Sequence, residues 1–154
     1  MTFVNRNKFV YSDRKQIIRL IFYVVHSHLE DITVQQKGIV GIVFEDGPFD
    51  VSKYDRKLDR VMMDYTNNVW PLRCVGLHHC FDSVIMELLM PFLLYMMGPA
   101  VRARYRIHPG KYKDGRLSHF ADFGINADCL PTHMGGHVEW DCNAWLEERR
   151  RQGK

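Results

Sequence analysis

The longest apolar run in the chain, Ser83 to Met97 (SVIMELLMPFLLYMM), carries a single charged residue, Glu87, so a helix over it is apolar on every side rather than along one stripe. Asp82 stands before it as an N-cap, and Gly98 with Pro99 ends it. Such a helix needs apolar surroundings on more than one side. A bilayer, the middle of a thick core, or a core with a lipid-like ligand each meet that need. The run is about five residues short of the roughly 20 that span a bilayer, and it carries Glu87 and a kinking Pro91. Met86, Met90, Met96 and Met97 add side chains that repack around irregular shapes, which suits a hinged cover over a variable ligand.

Around this run the pattern alternates between the two regular periods. Asp13 caps a helix in which Ile17, Leu20, Ile21, Val24, Val25, His28 and Leu29 recur at helical spacing. Gly38 to Phe44 (GIVGIVF) is a nearly continuous apolar strand of the kind buried on both faces of a parallel sheet. Ser52 and Asp55 approximate a capping box for a helix over 52 to 67, with Leu58, Val61, Met62 and Tyr65 inward. Leu72 to Cys80 (LRCVGLHHC) reads as the next strand, completing a βαβ unit with a right-handed crossover. Beyond the apolar helix, Arg102 to His108 (RARYRIH) alternates with period two, arginines on one face and Ala103, Tyr105 and Ile107 on the other. A short helix around 116 to 123, a turn-rich Leu130 to Gly136 (LPTHMGG) and a last helix with Trp140 and Trp145 follow. The fold class is α/β: a mixed, largely parallel sheet flanked by helices, in one domain over residues 1–154.

Composition narrows this picture. An apolar content of 46% in 154 residues supports one globular core. No charged leader followed by an apolar run stands near the start, which points to a cytoplasmic home, and Cys74, Cys80, Cys129 and Cys142 read as reduced thiols in packed positions. Net charge is +3, but its placement says more: Arg102, Arg104, Arg106, Lys111, Lys113 and Arg116 face a single Asp114 between Gly98 and Leu117. Arg149, Arg150, Arg151 and Lys154 form a second cluster, read as a solvated helix end.

Trp70-Pro71-Leu72-Arg73, then a strand, a helix holding Met90-Pro91-Phe92-Leu93, a strand, and Leu130-Pro131 with Gly135-Gly136 together resemble the CRAL-TRIO lipid-binding domain. The resemblance runs from about Asp13 to about Trp145 and is strongest over 69–137. It implies one hydrophobic ligand in a pocket floored by a sheet and covered by a mobile gate helix, here roughly Asp82 to Met97. It places Ile85, Leu88, Leu89 and Phe92 on the pocket side of the gate. Ile42 and Phe44, Leu77 and His79, and Tyr105 and Ile107 would supply the floor, with the inward strand parity left open. Arg73 and Arg102, Arg104 and Arg106 would contact an anionic membrane or phosphoinositide, a guanidinium holding phosphate through two bonds. The implied partners are therefore a lipid and a membrane surface, with peripheral association; no other cofactor is expected, and oligomeric state is not set. Leu72 replaces the glutamate of the phosphatidylinositol-transferring members, which favours an apolar cargo. The family's preceding helical domain is missing, which makes the chain N-terminally truncated relative to it. A non-lipid-binding interaction remnant of the same fold is the alternative.

Other chemistries fit less well. Cys129, His133, His137 and Cys142 have the spacing of no standard zinc site. His78 and His79 point to opposite faces of one strand. Gly38 and Gly41 lie inside a strand rather than after it, unlike a nucleotide-binding turn, and no nucleophile elbow or paired-carboxylate signature occurs, so no enzyme is expected. Period two sets Tyr105 opposite the arginines, whereas a nucleic-acid stacking platform needs both on one face.

Overall fold

The computed structural model describes residues 1–6, 13–45, 47–50, 52, 54–71, 73–110 and 116–154, with backbone only at 116 and 117. Leu72, Lys111, Lys113, Asp114 and the side chain of Arg116, all singled out from the sequence, lie outside the described residues. The chain divides into two compact units, Met1–Gly110 and Lys111–Lys154.

The first unit is built on a four-stranded sheet in the order β1-β2-β3-β4, with β1 Thr2–Asn5, β2 Ile39–Glu45, β3 Cys74–Phe81 and β4 Tyr105–Pro109. Every neighbouring pair is parallel, so the α/β class holds and the described sheet has no antiparallel strand. Between β1 and β2 lie α1 (Arg14–His28) and α2 (Ile32–Lys37); α3 (Arg56–Asp64) follows β2. Between β3 and β4 lie α4 (Val84–Met96) and α5 (Pro99–Arg102).

Asp13 caps α1 as its sequence position predicts, its carboxylate accepting from the Gln16 amide at 2.9 Å. The cap of α3 is Asp55, which takes the Lys57 and Leu58 amides, while Ser52 instead bonds Asp50. After α3 the chain makes a π-helical turn, Tyr65–Val69, closed by the Trp70 amide on the Tyr65 carbonyl at 2.9 Å. At the end of α2, Gly38 takes φ +87° with a would-be Cβ directed onto the Arg73 carbonyl, so only glycine fits there. That carbonyl accepts from the Ile39 amide, joining β2 to the segment before β3.

Register decides which side chains share a face. Gly41 pairs with Leu77 and Leu77 with Tyr105, whereas Ile42 pairs with His78 and His78 with Arg106. Leu77, His79, Phe81, Tyr105 and Ile107 thus share one face; Ile42, Phe44, His78, Cys80, Arg106 and His108 share the other. Met63 of α3 and Met86, Met90 and Met97 in and after α4 pack on the first of these faces, with Phe81, Tyr105 and Val101 at the centre.

The second unit holds α6 (Arg116–Ala121), 3-10 turns at Ala127–Cys129 and Thr132–Met134, and α7 (Cys142–Arg151). Leu130-Pro131 and Gly135-Gly136 close a tight loop: Gly136 donates to the Pro131 carbonyl at 3.0 Å and Val138 to the Leu130 carbonyl at 2.9 Å. A Cβ on Gly136 would collide with that Leu130 carbonyl. Leu130 and Met134 are fully buried, while Trp140 lies before α7 and is exposed. All four cysteines are free thiols; Cys80 is buried and Cys74 half-buried, but Cys129 and Cys142 are exposed rather than packed.

Candidate functional site

Helix α4 has apolar side chains on every side, and the sheet takes one of its two available stripes. Met86, Met90, Leu93, Leu94 and Met97 recur at helical spacing and pack on the sheet. Ile85, Leu88 and Phe92, expected inward, are exposed, Leu88 at 80%, and Leu89 is half-buried at the edge between the stripes. Both stripes satisfy i, i+3, i+4 and i+7, so period alone did not distinguish them. Val84, Tyr95 and Met96 extend the exposed face. Pro91 sits mid-helix on this outer side, and its missing N–H removes the bond to the Glu87 carbonyl, a built-in point of bending. Ser83, not Asp82, is the N-cap residue, and its side chain makes no capping bond.

The expected floor is split by the register. Leu77, His79, Tyr105 and Ile107 lie beneath α4, but Ile42 and Phe44, although buried, belong to the opposite face. The space between helix and floor is filled by the methionine row. A hollow of about 10 Å³ lies beside Thr66, Cys74, Leu77, Val101 and Arg104. A larger, open cleft of about 400 Å³ lies at the start of α4, between Gly47, Pro48 and residues 82–85. It opens at the carboxyl edge of β2 and β3, where parallel sheets commonly take ligands.

A buried polar chain borders the apolar floor at this same edge. The Tyr105 hydroxyl lies 2.6 Å from His79 Nδ1. His79 Nε2 lies 3.4 Å from Glu45 Oε1, which in turn lies 3.1 Å from Arg6 Nε. Arg6 also donates to Asp59 of α3 at 3.1 Å. Burial would raise the Glu45 carboxyl, but His79 and the Arg6 guanidinium outweigh it and hold the group below its ordinary range. Burial pushes the Tyr105 phenol well up. Tyr54 is pushed up to about 12, by burial first and then by Asp59. Sequence reasoning missed Arg6, Glu45 and Asp59. The signal available was a buried charge at the end of the apolar strand, and Arg6 follows a strand of only four residues.

On the other face His78 Nδ1 and His108 Nε2 are 2.8 Å apart with their rings stacked, so the adjacent His78 and His79 do serve separate faces. Burial and the nearby Arg106 charge lower the His78 pKa.

The basic residues are not one strand face. Arg102 ends α5, Arg104 lies in the turn, and only Arg106 belongs to β4, because the strand begins three residues later than expected. Arg73, Arg102, Arg104 and Arg106 are all exposed. A crossover helix runs against its parallel strands, so α4 ends at the edge where Arg73 and Arg104 precede β3 and β4. Among the described residues, no group of three or more His, Cys, Asp or Glu gathers to hold a metal; His137 instead pairs with Asp128 at 2.7 Å. No described helix is long and apolar enough to cross a membrane. No family model matches the chain, and no curated protein matches it.

Proposed function

We propose that the chain is a lipid-binding module of the CRAL-TRIO kind, in which α4 covers a single hydrophobic ligand and meets an anionic membrane surface. The observation that carries this reading is the exposed apolar face of α4 (Val84, Ile85, Leu88, Phe92, Tyr95 and Met96) on a helix whose other face is also apolar. A patch of this kind marks an interaction surface. Arg73, Arg102 and Arg104 near its C-terminal end supply the positive charge that anionic lipid attracts. The methionine row occupies the place the ligand would take, so uptake requires α4 to swing about Pro91 or its ends. Burying a hydrocarbon chain contributes about 0.8 kcal/mol per methylene toward that opening. A cytoplasmic, peripherally membrane-associated protein with no catalytic activity fits this reading.

The filled interior favours a second reading, a protein-interaction module that takes no lipid. Native mass spectrometry of the chain purified from lipid-containing cells separates the two. A lipid retained at one-to-one supports the first; a clean mass of the chain alone under gentle conditions supports the second.

A further inference from the structure

The exposed row of α4, made of Val84, Ile85, Leu88, Phe92, Tyr95 and Met96, is symmetric about the level of Met90. Turning the helix end for end there exchanges Val84 with Met96, Ile85 with Tyr95 and Leu88 with Phe92. A two-fold axis at that level therefore lays the row of one copy along the same row of another, each contact made twice, as an isologous interface requires. The exposed fractions leave roughly 700 Å² on these six residues, more than the roughly 300–600 Å² of the largest apolar patch on a typical monomer. It is close to the roughly 800 Å² per partner of a standard interface. At 13 residues α4 is about 20 Å long, so the whole row lies along one helix pair.

Charge placement agrees with this pairing. Glu87, the one charge on α4, lies outside the row, so joining two rows buries no unpaired charge. Reversal sets the basic end of each helix, where Arg102 and Arg104 are exposed, toward the start of the other, where Glu87 stands, and opposes the two helix dipoles. A membrane asks only that the row be apolar; a two-fold pair also asks that it match itself reversed. We infer that a second copy of this chain covers the exposed face of α4 in solution, through an antiparallel contact that sets Leu88 against Phe92 of the partner subunit. The inference uses the face assigned above to the membrane but needs no bound lipid. The area is that of a weak to ordinary pair, formed over about 1–100 μM; below that range the face is free to meet a vesicle.

The test is sedimentation equilibrium of the full chain without vesicles. The mass should rise from 18.2 kDa toward twice that value across the same concentrations, and anionic vesicles should return the chain to the single copy on their surface. Leu88→Glu and Phe92→Lys each set a charge against an apolar partner and should raise the concentration needed for pairing about tenfold or more. Mixing the two variants should restore pairing, because the mixed pair sets one charge against the other and leaves Leu88 on Phe92 at its second contact. A mass that stays at 18.2 kDa to about 100 μM overturns the inference however the variants fold, and so does a mixture no more paired than either variant alone. A single-copy chain that still binds vesicles leaves the membrane reading standing, whereas a pair that ignores vesicles overturns that reading alone.

Discussion

His78 and Glu45 make the fold sensitive to acid in two stages, and the sign of each follows from its surroundings. Burial and Arg106 hold the folded His78 below its ordinary 6.5, so the unfolded chain takes up a proton that the folded chain resists. That contribution is complete above about pH 6.5 and is lost as pH falls toward the folded value. Glu45, held below its ordinary 4.5, adds stability that is present above that value and lost beneath it. The urea midpoint should therefore fall between about pH 7 and 5 and again below about 4.5. A midpoint flat from pH 8 to 4 would contradict both assignments. Gly136→Ala, which drives a methyl group onto the Leu130 carbonyl, should cost about 1–3 kcal/mol, visible as a lower melting temperature.

At the scale of elements, α4 separates stability from function. Leu88→Asp and Phe92→Asp alter its exposed face and should change stability by about 0.5 kcal/mol or less, yet weaken sedimentation with anionic vesicles. Met90→Ala empties a buried position and should cost about 2–5 kcal/mol by denaturant unfolding. Undiminished vesicle binding by the aspartate variants would remove the membrane role of the helix. Charge reversal at Arg102 together with Arg104 should also weaken vesicle binding, without altering ligand capture. The existence and extent of α4 were legible because an apolar run with one charge has few alternatives. Its inward stripe was not, because a helix apolar all round carries no periodic signal for the sheet to select. The start of β4 was misplaced for a related reason: Arg102 to Arg104 alternate like a strand, but Pro99 starts a helical turn that reaches Arg102.

Across the whole molecule, the α/β class and the parallel run of β2 and β3 could be read from the nearly continuous apolar Gly38–Phe44, which implies cover on both faces, and from Leu72–Cys80 completing a βαβ unit. The first strand and α2 escaped notice, being four and six residues long and without a sustained period. Which strand residues share a face depends on register, and Ile42 and Phe44 fell on the wrong side for that reason. The polar chain from Tyr105 to Asp59 draws on β2, β3, β4, α3 and the residue that follows β1, a convergence that no local spacing encodes. The central claim is that α4 is both the mobile cover and the part that meets lipid, and hydrogen exchange resolved along the chain tests the two together. Amides of 84–97 should exchange faster than those of β2 and β3 in the free protein and slow selectively when anionic vesicles are added. An α4 as protected as the central strands, and unchanged by vesicles, would contradict it.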